Sequence, residues 1–181
     1  MSQPGVTMLD LLRQFLGPWY LQIKFIHVLA VAVWIASTVV AYTYFLVPVF
    51  KAWRRNPQDQ EIITLRNWAM ERFDQGIIFE HVAFPVIIIT GPLMYVLGGW
   101  TTATNWLLLK IILVCLVAIP IEIVDYHLSH FGGNKRRLRE AGDMAGYERS
   151  IQQHWMFFLV TSPPIMVFAV LIVFLAITKP F

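Results

Sequence analysis

Cysteine is nearly absent from this chain, and charge is scarce. Cys115 is the single cysteine, so intramolecular disulfides and thiolate metal clusters are excluded. Charged residues make up 14% of the 181 positions, against about 25% in an ordinary soluble domain, which excludes a solvated globule. No internal repeat, low-complexity segment or nucleic-acid motif is visible, and without a His-Glu-x-x-His helix a zincin or structural zinc site is unsupported. The opening "MSQPGVTMLDLLRQFLGP" has no basic region before its apolar part and no small-residue cleavage pattern. It is therefore expected to be no removed signal peptide but a short interfacial helix over Met8 to Leu16, stopped by Gly17 and Pro18.

What the chain has in quantity is apolar length. Hydrophobic residues account for 57% of it. A bilayer core needs about 20 apolar residues per helical span. Windows at about 19–46, 77–99, 106–127 and 155–178 supply that length. The expectation is an all-α fold, an integral membrane four-helix bundle, with residues 1–181 forming a single domain. Lys51, Arg54, Arg55, Arg66 and Arg72 fall between the first two spans, and Lys135, Arg136, Arg137, Arg139 and Arg149 between the last two. The positive-inside rule makes that face cytoplasmic and both termini external, in a bacterial cytoplasmic membrane. The net charge of +3 then marks a lipid leaflet, with no nucleic acid as partner. Four short spans bury little surface alone, which points to a homo-oligomer.

The informative residues are the ionisable ones inside the apolar windows: His27, Glu80, His81, Lys110, Glu122, Asp125 and His127, with His154 at the edge of the fourth. Each costs a few kcal/mol in hydrocarbon, so such groups face a bundle interior and carry function. At about 1.5 Å of rise per residue, His27 and Lys110 fall in the outer half and the others in the inner half. His27 and His81 are then roughly 20 Å apart in depth, too far to share a metal ion. His27, Ala30, Trp34, Ser37, Ala41 and Tyr44 recur every three or four residues, on one expected face of mostly small side chains. Such a face admits a flat cofactor or a neighbouring helix. Glu80 and His81 precede Pro85 by about one turn, and a proline there frees the carbonyl of residue 81. Glu122 and Asp125 share one side of the third span; His127 and His130 share another, with His130 expected at the water surface. Carboxylates and imidazoles so placed suit proton relay or metal binding, and inward-facing histidines among four apolar helices suit haem.

The stretches "IKFIHVLAVAVWIA" (23–36), "MER" (70–72), "WLLLKIILV" (106–114), "DYH" (125–127) and "LIVFLAITKPF" (171–181) resemble, in order and spacing, a known family. It is that of the HemJ-type protoporphyrinogen IX oxidases, within the wider set of small four-helix haem-binding proteins related to CopD. The resemblance implies a haem b protein, with His27, Trp34, Lys110, Tyr126 and His127 at matching positions. It also implies oxidoreductase chemistry on a tetrapyrrole, with electrons passed to a quinone or respiratory partner. Arg72 or Lys110 would then pair with propionates, and Glu80, Glu122 and Asp125 would accept the released protons. On this reading His27, His81, His127 and His154 are the candidate metal ligands. The family has a second histidine at the end of the first span, where this chain reads "FLVPVFKAW". Two other classes remain open: a copper or proton transporter using His81, Glu122, Asp125 and His154, and a non-catalytic subunit of a membrane complex.

Overall fold

The computed structural model describes residues 7–180, and among these every regular element is helical. In chain order the helices are α1 (Met8–Leu16), α2 (Tyr20–Val40), α3 (Val47–Arg55), α4 (Gln60–Gly76), α5 (Ile78–Leu97), α6 (Asn105–Leu113), α7 (Ile119–His130), α8 (Lys135–Glu140) and α9 (Met144–Thr178). They merge into four long rods, Met8–Arg55, Gln60–Leu97, Asn105–Glu140 and Met144–Thr178, each long and apolar enough to cross a membrane. All four reach well beyond the windows expected from hydropathy. The reason is visible at one bundle end, where α4, α8 and α9 keep their polar residues helical by pairing them. Arg66 grips Glu148 through two nitrogens at 2.9 and 2.5 Å, and Arg139 grips Glu71 at 2.7 and 2.9 Å. Hydropathy fades there, but helix does not.

Local signals place the ends. Thr7 and Asp10 form a reciprocal cap on α1, and Asp59, Asn134 and Asp143 accept backbone N–H groups at the starts of α4, α8 and α9. Gly17 and Pro18 do not stop the first rod. They form a tight turn, Gly17–Trp19, that leads into α2, since proline is tolerated in a first turn. Wider turns with i→i+5 bonding interrupt the first and third rods at Ala41–Leu46 and Val114–Ala118. The extra residue in the first of these rotates everything after it. Tyr44 is consequently 73% exposed, not on the face of His27 and Trp34, while Leu46 and Phe50 turn inward.

The core runs through the bundle in three layers. At the end carrying the connections 56–59 and 131–143, hereafter the polar end, Leu46, Phe50, Met70, Phe73, Ile151 and Trp155 interlock. Phe50 stacks on Trp155 there with ring centres 4.0 Å apart. Ala30, Trp34, Ala83, Phe84, Ala118 and Phe168 form the middle layer, and Trp106, Leu107 and Leu175 the far one. Small residues let α2 lie close along α5, its most extensive neighbour. Outward faces are apolar as well, with Leu21, Leu116, Val167 and Ile177 fully displayed.

Candidate functional site

Between the polar-end and middle layers lies a chain of ionisable side chains contributed by three rods. Lys135 begins α8, yet its side chain is completely buried. Its ammonium donates to Asp74 Oδ1 (2.9 Å), to the Leu128 carbonyl (3.1 Å) and to Nδ1 of His154. All three ammonium protons are thereby used. His154, also wholly buried, must then donate through Nε2, which lies 2.8 Å from Asp125 Oδ1. Asp125 Oδ2 takes a second imidazole, His81, through Nε2 at 3.3 Å. With that nitrogen protonated, His81 Nδ1 accepts from Nε2 of His130 at 2.6 Å. The sequence Asp74, Lys135, His154, Asp125, His81, His130 is thus continuous in hydrogen bonds, and it ends on a half-buried ring.

The backbone explains why the chain is held so closely. Pro85 has no N–H for the carbonyl of His81, and the Tyr126 hydroxyl donates to that carbonyl instead. The Tyr126 and His81 rings stack with centres 3.9 Å apart. Gly133 lets the segment after α7 fold back, since a Cβ there would sit 2.7 Å from the Leu128 carbonyl oxygen. Asn134 Nδ2 donates to the Ser129 carbonyl (2.6 Å), and Ser150 donates to that of Gly133. These bonds aim Lys135 inward. His130 therefore meets His81, not merely water. Lys135 and Arg66, read from sequence as loop cations, are buried and ion-paired.

The remaining sequence candidates divide into two groups. In the middle layer Trp34 Nε1 donates to Glu122 Oε1 at 2.6 Å, while Glu122 Oε2, also buried, has no hydrogen-bond partner among the described residues. Glu80 is buried beside His81. Further along, Thr90 donates its hydroxyl proton to the Val86 carbonyl (2.5 Å), so its oxygen accepts from Nδ1–H of His27 at 2.8 Å. That leaves His27 Nε2 unprotonated and without a hydrogen bond among the described residues. Gly91 lies beside this ring, and half-buried Lys110 is near enough to act on it electrostatically. Because His27 meets Thr90, nine residues beyond His81, the two histidines are separated by about 13 Å along the second rod. That is shorter than the 20 Å expected, and still too far for one metal ion.

His127 is exposed, as is Arg72, which bonds Gln75 at 3.0 Å and lies over the Trp68 ring. Both nitrogens of His81 and of His154 are engaged within the polar chain, so of the four candidate metal-binding histidines only His27 and His127 keep a free nitrogen. Among the described residues no group of three or more His, Cys, Asp or Glu side chains is arranged to hold a metal ion. Sequence reasoning missed Asp74, Lys135 and the role of His130. The run "GGNKRRLRE" held one usable signal, two glycines and a capping asparagine immediately before a lysine.

No family model, curated protein or solved structure matches this chain. What fold and site define together is an all-helical protein with four potential membrane spans and a buried polar chain reaching inward from one end.

Proposed function

We propose that this chain is an integral membrane protein that carries protons from its polar end inward to Asp125, one helical turn from Glu122. The observation behind the reading is the unbroken hydrogen-bonded path His130, His81, Asp125. Proton transfer along such a path needs groups that accept at one atom and donate at another, which imidazole does. With Asp74 and Asp125 ionised, Lys135 charged and the three histidines neutral, the cluster carries one net negative charge and has room for one proton. A proton arriving at Nδ1 of His130 releases the Nε2 proton to His81 Nδ1, and His81 passes its own Nε2 proton to Asp125 Oδ2. Asp125 then stands three residues from Glu122 on α7, on the same side of that helix.

Of the ten basic residues near the polar end, eight are exposed: Lys51, Arg54, Arg55, Arg72, Arg136, Arg137, Arg139 and Arg149. By the positive-inside rule this end is cytoplasmic and both termini are external, in the inner membrane of a bacterium. Proton uptake after a pH jump, followed through the infrared carboxyl bands of the reconstituted protein, tests the path. His130→Phe at the half-buried entrance is expected to slow uptake at least about tenfold, which corresponds to about 1.4 kcal/mol in the barrier. Equal rates in wild type and variant overturn the proposal.

A second reading, a haem b protein of the HemJ and CopD type, is favoured by one observation. His27 has Nδ1 held by Thr90 and Nε2 free, the arrangement in which a hydrogen bond on one nitrogen orients the other as ligand. His27 would hold the haem iron through that nitrogen; His81 and His154 are engaged, and His127, at the level of His81, lies too far from His27 to share the same iron. Haem would supply one-electron chemistry. An absorption spectrum of the purified protein, oxidised and dithionite-reduced, tests this: a Soret band lost in His27→Ala supports it, and a colourless protein after expression with ample haem refutes it.

A further inference from the structure

A crevice of about 360 Å³ opens between α5 and α7, and its size falls within the range of small-molecule sites. Phe84, Tyr126 and Phe131 contribute aromatic rings to its walls, Ile119 and Ile123 contribute aliphatic groups, and Glu122 is the one carboxylate lining it. Glu122 is 4% exposed. Trp34 Nε1 donates to its Oε1, while its Oε2 has no hydrogen-bond partner among the described residues. None of the ion pairs among those residues includes Glu122 either. A buried carboxylate oxygen left in this state is costly, and what it lacks is a donor and a positive charge.

We infer that this crevice binds an apolar amine, whose ammonium donates to Glu122 Oε2 and whose hydrocarbon body lies along the apolar walls. An acceptor-only ligand would find no donor at the carboxylate, because the Trp34 N–H is spent on Oε1 and the Tyr126 hydroxyl on the His81 carbonyl. A neutral hydroxyl would serve Oε2 but leave the carboxylate charge uncompensated, whereas an ammonium supplies donor and counter-charge together. The aromatic walls favour the same choice, since ring faces attract a cation. Pairing with a cation also holds Glu122 in its ionised form, in which Oε2 is a full acceptor. His127, five residues on and about 7.5 Å further along α7, lies at the exposed side of the crevice, clear of the ammonium. Ile123 and Phe131, 65% and 60% exposed, leave the mouth open to an apolar surrounding, so the amine enters from the lipid. Amine binding uses none of the groups from His130 to Asp125, so its test and that of the proton path are separate.

The test is equilibrium dialysis of radiolabelled 4-butylbenzylamine against the detergent-purified full chain, with empty micelles as the blank. Two competitors of the same shape are 4-butylbenzyl alcohol, a neutral donor, and 4-butyltoluene, which has no donor. Saturable binding of the amine is expected, with the alcohol at least about tenfold weaker and the hydrocarbon not competing. Glu122→Gln keeps an acceptor for Trp34 but loses the charge, and is expected to weaken amine binding about 10- to 100-fold, the range of one charged hydrogen bond, so that amine and alcohol bind alike. Ile123→Trp fills the mouth from an exposed position and is expected to abolish binding, which decides the case independently of how Glu122→Gln folds. Amine uptake no greater than in empty micelles, equal competition by the alcohol or the hydrocarbon in the wild type, an amine preference retained in Glu122→Gln, or undiminished affinity in Ile123→Trp each overturns the inference.

Discussion

Replacing Lys135 by methionine removes the cation on which two buried carboxylates depend. In the native protein its ammonium holds Asp74 at 2.9 Å, the Leu128 carbonyl at 3.1 Å and, through His154, Asp125. Lys135 is 0% exposed and Asp74 6%, so water cannot take over any of these bonds. Breaking a buried ion pair by deleting one partner costs about 3–5 kcal/mol, because the other charge stays behind unpaired. The freed Leu128 carbonyl would add about 1–3 kcal/mol if wholly unsatisfied, but the two losses share one site and do not sum. Lys135→Met is therefore expected to lose about 3–5 kcal/mol, with at least half regained in Lys135→Met/Asp74→Leu, where the carboxylate in direct contact with Lys135 is no longer left unpaired. Equilibrium unfolding in mixed micelles, followed by circular dichroism, measures both. A single variant within about 1 kcal/mol of wild type, or a double variant no better than the single, would refute the reasoning.

Three further perturbations follow from the geometry. Tyr126→Phe withdraws the donor from the His81 carbonyl and is expected to cost about 1–3 kcal/mol in unfolding assays; adding Pro85→Ala, which restores a backbone N–H, should recover most of it. Arg66 is buried, paired through two nitrogens with Glu148 and set 4.7 Å over the Trp53 ring, so Arg66→Lys should lower stability by about 1–2 kcal/mol despite keeping the charge. At Gly91 a new Cβ would meet His27 at 3.6 Å, an ordinary contact. Gly91→Ala should therefore leave the imidazole ¹⁵N shifts of His27 unchanged, whereas Gly91→Leu should displace the ring and alter them.

The four long rods were legible because apolar length is a local property, counted along the chain without knowing any neighbour. Their extents were less so. Arg66 and Glu148 look like loop residues until each is seen to neutralise the other across two helices. Tyr44 was misplaced by a spacing rule that assumes 3.6 residues per turn throughout, and nothing in "AYTYFL" announces the extra residue in that turn. Within the site, Glu122, Asp125, His81 and His154 stood out because ionisable groups in apolar windows are costly. Lys135 did not, since in "NKRRLRE" it is one base among several. Only the backward fold at Gly133 distinguishes it, and that depends on the Leu128 backbone. The free carbonyl of His81 could be anticipated from Pro85, while the identity of its donor is a matter of tertiary packing.

The polar chain is also a statement about biosynthesis. Asp74 and His81 are made first, then Asp125, His130 and Lys135, and His154 last. Until the final rod is in place, the nascent protein holds Asp125 without the imidazole that links it to Lys135. The second and third rods can pair first through Asp74 with Lys135 and His81 with Asp125, and the fourth completes the chain through His154. The first rod, tied to them near the middle by Trp34 on Glu122 and His27 on Thr90, can dock on the finished trio. A chain that ends before residue 154 leaves Asp125 without the imidazole on its Oδ1, a buried charge short of one of its partners.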